Sequence, residues 1–233
     1  MVSLSTEDCT ALNHSILFQG LELDTVVPLL EGHLSAVSVG TFLFQEGQRI
    51  DHFHVLLSGT VHASFFDRNG REFLYQQLTP GQIVGGEIVC TPQKITPYCT
   101  YTEDRVRLWS FPWSKVEGDS DLPPELRMTL LKNLLNFVAN LNIRKYYKID
   151  ALSTRSARER ILKYLIGQAV LSRSTTFTVP MDREGMANYL CLNRSVLSHE
   201  LKQMEEDGLI QFRKNQFTLS DTCCPPNFPV SAL

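Results

Sequence analysis

Apolar and polar positions alternate in short runs from about Val37 to Phe111. The runs are separated by turn residues: Gly40, Gly47, Ser58-Gly59, Asn69-Gly70, Pro80-Gly81 and Gly85-Gly86. Alternation broken at this spacing predicts an all-β sandwich or barrel, with no helix of useful length. Asn69-Gly70 lies between Val61–Phe66 and Glu72–Leu78 and predicts a tight hairpin turn in which both residues take positive φ. Thr79-Pro80-Gly81 predicts a second turn, because Pro presets φ at its second position and Gly accepts positive φ at its third.

The texture changes after Asp121-Leu122-Pro123-Pro124. No Gly or Pro follows from Glu125 to about Asp150, which predicts a long helix entered through Pro in its first turn. It carries two apolar stripes. Leu130, Leu134, Phe137 and Leu141 form one, while Met128, Leu131, Leu135, Val138, Asn142 and Ile149 follow a near-heptad course beside it. One stripe covers the β domain and the other needs a partner chain, so the pattern predicts a dimer helix. The alternative is a helix buried in one large core, but the polar last turns (Arg144, Lys145, Lys148) argue against it. A second helix is expected over roughly Ser153 to Val170, then a short strand over Thr176 to Val179.

A compact helical block follows from Met181. Met186, Ala187 and Leu190 supply the buried face of one helix, Leu192-Asn193 the turn, and Val196, Leu197, Leu201 and Met204 the buried face of the next. Gly208 stops that helix. Leu209-Ile210 enter a hairpin, Gln211 to Leu219, with Arg213, Lys214 and Asn215 at its tip. This is the layout of a winged helix-turn-helix. Arg194, Ser195, Ser198 and His199, at the N-terminal end of the second helix, are candidates for reading base edges. Asn193, Lys202, Arg183, Arg213 and Lys214 are candidates for phosphate contacts, which position without specifying sequence. The bland alternative is a helical hairpin with solvated charges.

The net charge of −3 argues against a nucleic-acid partner only until it is divided by position. Residues 1–150 carry 12 Lys+Arg against 17 Asp+Glu, and residues 151–233 carry 10 against 8. The basic share lies with the helical block. Neither a signal-peptide pattern nor an apolar run of about 18 residues is present, so a cytoplasmic protein without a membrane partner is expected. The six cysteines include no CxxC pair and no zinc-ligand spacing, so no metal site is read from them. Reduced, partly buried thiols are the plain expectation; Cys9, Cys191, Cys223 and Cys224 are the candidates for a redox switch.

The run Asn193-Arg194-Ser195-Val196-Leu197-Ser198-His199-Glu200-Leu201, with Met204-Glu205-Glu206-Asp207-Gly208-Leu209-Ile210 after it, resembles the recognition-helix signature of the Crp/Fnr superfamily of transcription regulators. Gly40–Gly47, Phe53–Val61 and Leu78–Glu87 resemble successive strand motifs of that family's cyclic-nucleotide-binding-like β-roll. The resemblance spans about residues 15–220. It implies a homodimer joined along the long helix, double-stranded promoter DNA with a pseudo-palindromic operator as partner, a small-molecule effector, and RNA polymerase as a candidate further partner. Many relatives carry Arg where this chain has His199, which leaves the operator sequence open.

The resemblance also places an effector pocket at Gly86, Glu87 and Tyr98. Members that bind cyclic AMP end this segment with Arg-Ser or Arg-Thr, and here Pro97-Tyr98 stands instead; Lys94 and Arg105 are cations that the sequence does not place there. Without a guanidinium the phosphate loses its strongest contacts, so no cyclic AMP response is expected. Iron–sulfur members need several N-terminal cysteines and only Cys9 is present, which argues against a cluster. Haem stays open, because His14, His33, His52, His54 and His62 are available and one axial ligand needs no motif. The cofactor is thus unassigned.

The expected fold class is α+β: a jelly-roll-like β-roll with an N-terminal helical segment (1–121), a long dimerisation helix (122–150), a winged helix-turn-helix domain (151–222) and a tail (223–233). The expected function is a DNA-binding regulator and not an enzyme. Two alternatives compete: a cupin-type metalloenzyme using His52-x-His54, which lacks the following Glu, and a ligand-gated dimer that binds protein partners. No Walker-type loop or Ser/His/Asp signature appears.

Overall fold

A computed structural model of the 233-residue chain describes residues 4–118 and 121–223. The chain divides into two compact units, residues 1–140 and 141–233. Cys224 and the remainder of the expected tail lie outside the described residues.

The first unit opens with α1 (Thr6–His14), whose N-terminus is fixed by a capping box between Ser5 and Asp8. Asp8 is buried and also accepts from the Arg107 guanidinium at 2.8 Å. After α2 (Leu23–Leu29) the chain forms eight strands: β1 (His33–Val37), β2 (Phe42–Phe44), β3 (His52–Ser58), β4 (Val61–Phe66), β5 (Glu72–Leu78), β6 (Ile83–Val84), β7 (Cys99–Thr102) and β8 (Val106–Pro112). They make two antiparallel four-stranded sheets, ordered β1-β8-β3-β6 and β2-β7-β4-β5. Phe53, Val55, Leu56, Val61, Leu74, Ile83, Trp109 and Phe111 are buried in this β-roll. Gly32 passes so close to Trp109 that a Cβ there would lie 2.3 Å from the indole, so the position admits no side chain.

The expected strand region thus begins earlier, at His33, and one short helix, α3 (Gly86–Val89), interrupts it. The β4–β5 strands lie where the pattern puts them, but their turn differs. Gly70 has φ +76 while Asn69 is not in the left-handed region. The Asp67 carboxylate accepts from the backbone of Asn69 and Arg71, and Gly70 N–H donates to Asp67 O. This is a turn of ordinary hand closed by a left-handed glycine, which an aspartate at its start stabilises over the two-residue alternative. The Thr79-Pro80-Gly81 turn has its expected geometry, with φ +87 at Gly81 and Gln82 N–H donating to Thr79 O.

The long helix α4 (Pro124–Leu152) has 29 residues and spans roughly 44 Å. Leu130, Leu134, Phe137 and Leu141 are buried. Asn133, also buried, donates to the carbonyls of Leu17 and Gln19 at 2.9 Å each and so ties the helix to the first unit. The adjacent stripe lies open: Met128 is 67% exposed, Leu135 70% and Ile149 65%, with Leu131, Val138 and Asn142 exposed as well. Among the described residues no helix is long and apolar enough to cross a membrane.

In the second unit, α5 spans Ala157–Ser172 with Ser156 as N-cap. It starts four residues later than the expected Ser153, because the hydroxyls of Ser153 and Thr154 turn back on the carbonyls of Asp150 and Ala151 and end α4 there. A three-stranded sheet joins β9 (Thr176–Thr178) to the hairpin β10 (Ile210–Arg213) and β11 (Gln216–Leu219) in the order β10-β11-β9. Between them lie α6 (Arg183–Tyr189) and α7 (Arg194–Glu206).

Candidate nucleic-acid interface

The α6–α7 pair is held by its own core. Met186, Ala187, Leu190, Leu197, Leu201 and Met204 are buried together with Ile210, Phe217 and Leu219 of the hairpin and Ile161 and Leu165 of α5. Asp182 caps α6 by accepting from Gly185 N–H at 2.8 Å. Cys191 takes φ +53 at the turn, and Gly208 φ +71 after α7. Arg160 clamps this turn: its guanidinium donates to the carbonyls of Leu190 and Cys191, and to Thr154 O at the α4–α5 junction, at 3.0–3.4 Å. The Lys148 ammonium stands 3.7 Å above the Tyr189 ring, and burial lowers its pKa to about 8.

Arg194, Ser195, Ser198 and His199 all lie exposed in the first two turns of α7. Arg194 is only loosely held, 3.8 Å from Glu184 of α6. Asn193 is the N-cap residue, yet its side chain makes no capping bond and is exposed. Lys202, one turn further along, is exposed at 3.7 Å from Glu206. The hairpin tip presents Arg213 and Lys214, the latter at φ +54.

Two residues depart from expectation. Val196, assigned to the buried face, is 37% exposed. A helical turn of 3.6 residues sets it about 140° around the axis from Leu201, so strict angular spacing would have moved it to the surface. Arg183, expected at a phosphate, lies against the wing. It donates to Lys214 O at 2.7 Å, and its guanidinium lies 5.0 Å from the Phe212 ring centre and 5.1 Å from that of Phe217. Neither Arg183's role nor the Arg160 clamp carries a sequence motif, because both depend on carbonyls far along the chain. The first turn of α6 therefore touches both the wing tip, through Arg183, and the start of α7, through Glu184.

In the β-roll, Tyr98 is buried and its phenol donates to the Glu87 carboxylate at 2.7 Å. Burial and then the Glu87 charge hold that phenol well above its ordinary range. Tyr75 and Phe65 pack on it at ring distances of 5.1 and 6.0 Å. Gly86 sits under Phe137, with room for no Cβ. Lys94 pairs with Glu117 at 3.4 Å and Arg105 is exposed in the β7–β8 loop, so neither takes the place of an arginine beside Glu87.

The five histidines of the first unit are each engaged by neighbouring side chains or carbonyls. His14 meets Thr10 O, His52 the Asp51 carboxylate, His54 the Ser110 hydroxyl and His62 the Glu103 carboxylate, at 2.6–2.7 Å; His33 packs its ring edgewise on His52. Among the described residues no group of three or more His, Cys, Asp and Glu side chains is placed to hold a metal ion. Cys9, Cys191 and Cys223 are free and half-buried, Cys223 lying within hydrogen-bond reach of Leu209 O.

Two family models match the chain, the cyclic nucleotide-binding domain over residues 34–118 and the Crp-like helix-turn-helix domain over residues 159–222. The chain is 22% identical to the anaerobic regulatory protein of Pasteurella multocida over 94% of its own length and 80% of the relative's. It is 22% identical to the transcriptional activator FnrA of Stutzerimonas stutzeri, covering 78% of this chain and 75% of that one. Among solved structures, FixK2 from Bradyrhizobium japonicum aligns over 82% of this chain and 93% of its own, with TM-score 0.59 and 15% identity. The c-di-GMP responsive regulator CLP of Xanthomonas campestris aligns over 85% and 99%, with TM-score 0.63 and 16% identity.

Proposed function

The chain belongs to the Crp/Fnr superfamily and is a DNA-binding transcription regulator, not an enzyme; from that premise we propose that it acts as a homodimer joined along α4, with one α7 in each half-site of a pseudo-palindromic promoter operator. The observation that carries this reading is the exposed polar end of α7 beside a basic wing. Arg194 suits the O6 and N7 acceptors of guanine, and Ser195, Ser198 and His199 suit base edges or nearby phosphates. Asn193, Lys202, Arg213 and Lys214 suit phosphates. The open stripe of Met128, Leu131, Leu135, Val138 and Asn142 supports pairing of two α4 helices. Half-sites read together must match the spacing of the two α7 helices, roughly 34–36 Å, so an effector that alters α4 pairing would set affinity through geometry.

The effector in this reading is a small molecule or redox signal other than cyclic AMP. The Glu87 carboxylate already accepts from Tyr98, and among the described residues no arginine is bonded or paired to it. Relatives named anaerobic regulatory proteins make oxygen an attractive signal, and with Cys9 as the single N-terminal cysteine the reading favours a route other than a cluster. Direct thiol chemistry at Cys9, Cys191 or Cys223 then carries a redox signal. A Soret band, alone or after haem is added, identifies haem sensing instead. RNA polymerase is the natural second partner of such a dimer on a promoter.

Selection of bound sequences from random DNA, under oxidising and reducing conditions, tests the reading. Arg194→Ala is expected to cost about 1–3 kcal/mol on the selected operator and little on random DNA, whereas Lys214→Ala weakens both alike. Retention of no sequence, with binding insensitive to salt, would favour protein partners for the second unit.

A further inference from the structure

We propose that Val196 reads the 5-methyl group of a thymine in the major groove; the inference rests on the DNA-binding reading above and adds a residue to it. Val196 is 37% exposed although its neighbour Leu197 and, one turn on, Leu201 are wholly buried. It is the third residue of α7, with Ser195 before it and His199 three residues later, and both of those are exposed. Every other exposed side chain in the first two turns is polar: Arg194, Ser195, Ser198 and His199. Val196 alone offers methyl groups.

The chemistry of the groove singles out its partner. Base edges there present hydrogen-bond donors and acceptors, and the thymine methyl is the one apolar group among them. A valine opposite a phosphate or a base acceptor would leave that group without a bond, while one opposite thymine removes apolar surface from water on both sides. The β-branched side chain holds essentially one rotamer in a helix, so its methyl groups are in place before DNA arrives. One methyl taken out of water corresponds to about a four-fold gain in affinity, repeated in each half-site.

The experiment replaces each thymine of the selected operator in turn with deoxyuridine, which removes the methyl and nothing else. Binding is read by fluorescence anisotropy for the wild type and for Val196→Ser. At one position per half-site, uracil is expected to weaken the wild type about four-fold, while Val196→Ser binds the thymine and uracil operators equally. Val196→Thr, which keeps the shape and one methyl, is expected to retain part of the discrimination. Equal melting temperatures establish that the variants are folded. Uracil penalties of the same size in the wild type and Val196→Ser, or none at any position, overturn the inference while leaving the regulator reading intact. A wild type that selects no sequence overturns both.

Discussion

Replacing Arg183 separates two roles that its charge alone does not distinguish. Its guanidinium donates to Lys214 O at 2.7 Å and lies against Phe212 and Phe217. A charged hydrogen bond contributes about 1.5–3 kcal/mol and each ring contact about 0.5–1 kcal/mol at a site of this exposure. Arg183 is half-buried, so solvent screening trims the lower-end total of about 2.5 kcal/mol, and Arg183→Ala should loosen the wing by about 2 kcal/mol. Amide hydrogen exchange in the full-length protein reads that directly: the amides of β10 and β11 should exchange about thirty-fold faster, with those of the β-roll unchanged. Arg183→Lys keeps the charge but loses the planar fork and the stacking, so it should behave like Ala in exchange. A phosphate-contacting residue gives the opposite pattern. Wing exchange would stay at the wild-type rate, Lys would substitute for Arg in DNA binding, and Arg183→Ala would lower the slope of log affinity against log salt by about one. That outcome would refute the positioning role.

Two further predictions concern the first unit and the proposed dimer. Burial, and then the neighbouring His52 and His33, lower the His54 pKa from 6.5 to about 4. The unfolded chain therefore takes up a proton over that interval that the folded chain refuses, and stability falls as pH drops from 6.5 towards about 4 by on the order of 3 kcal/mol. Urea unfolding at pH about 6.5 and about 4.5 should show this, His54→Gln should flatten the dependence, and an equal slope in both proteins would contradict it. Leu135→Asp places a carboxylate on the open stripe at a cost of about 3 kcal/mol in a buried interface, so dimerisation should weaken more than a hundred-fold. Sedimentation equilibrium should report half the wild-type mass with an unchanged circular dichroism spectrum, and a dimer of undiminished affinity would move the interface elsewhere.

Periodicity makes most of the fold legible in the sequence. The strands flanking Asn69-Gly70 and the two stripes of α4 follow from side-chain direction, which local backbone geometry dictates. Decisions between near-equal local states were less legible. Asp67 tips its turn by accepting two backbone hydrogen bonds, and Ser153 and Thr154 end α4 by bonding to carbonyls behind them. At the interface, the sequence supplied the residue types of Arg194, Ser195, Ser198 and His199, because polar residues opposite an apolar face must be exposed. The contact of Arg183 with the wing was not legible, because a cation near a helix-turn-helix looks the same in sequence whether it meets a phosphate or a carbonyl 31 residues away.

Arg160 has a consequence for where the regulatory signal can act. One side chain bonds to a carbonyl just after α4 and to two carbonyls shortly before α7, so the α4–α5 junction and the α6–α7 turn, some 30 residues apart, share a single fastening. A rearrangement inside the second unit would have to break those bonds, whereas a swivel of the whole unit breaks none. In the mechanism proposed above, Arg160 makes the helix-turn-helix module a passenger, and because Lys148 and Asp150 are also held to that module, the switching motion falls further up the long helix.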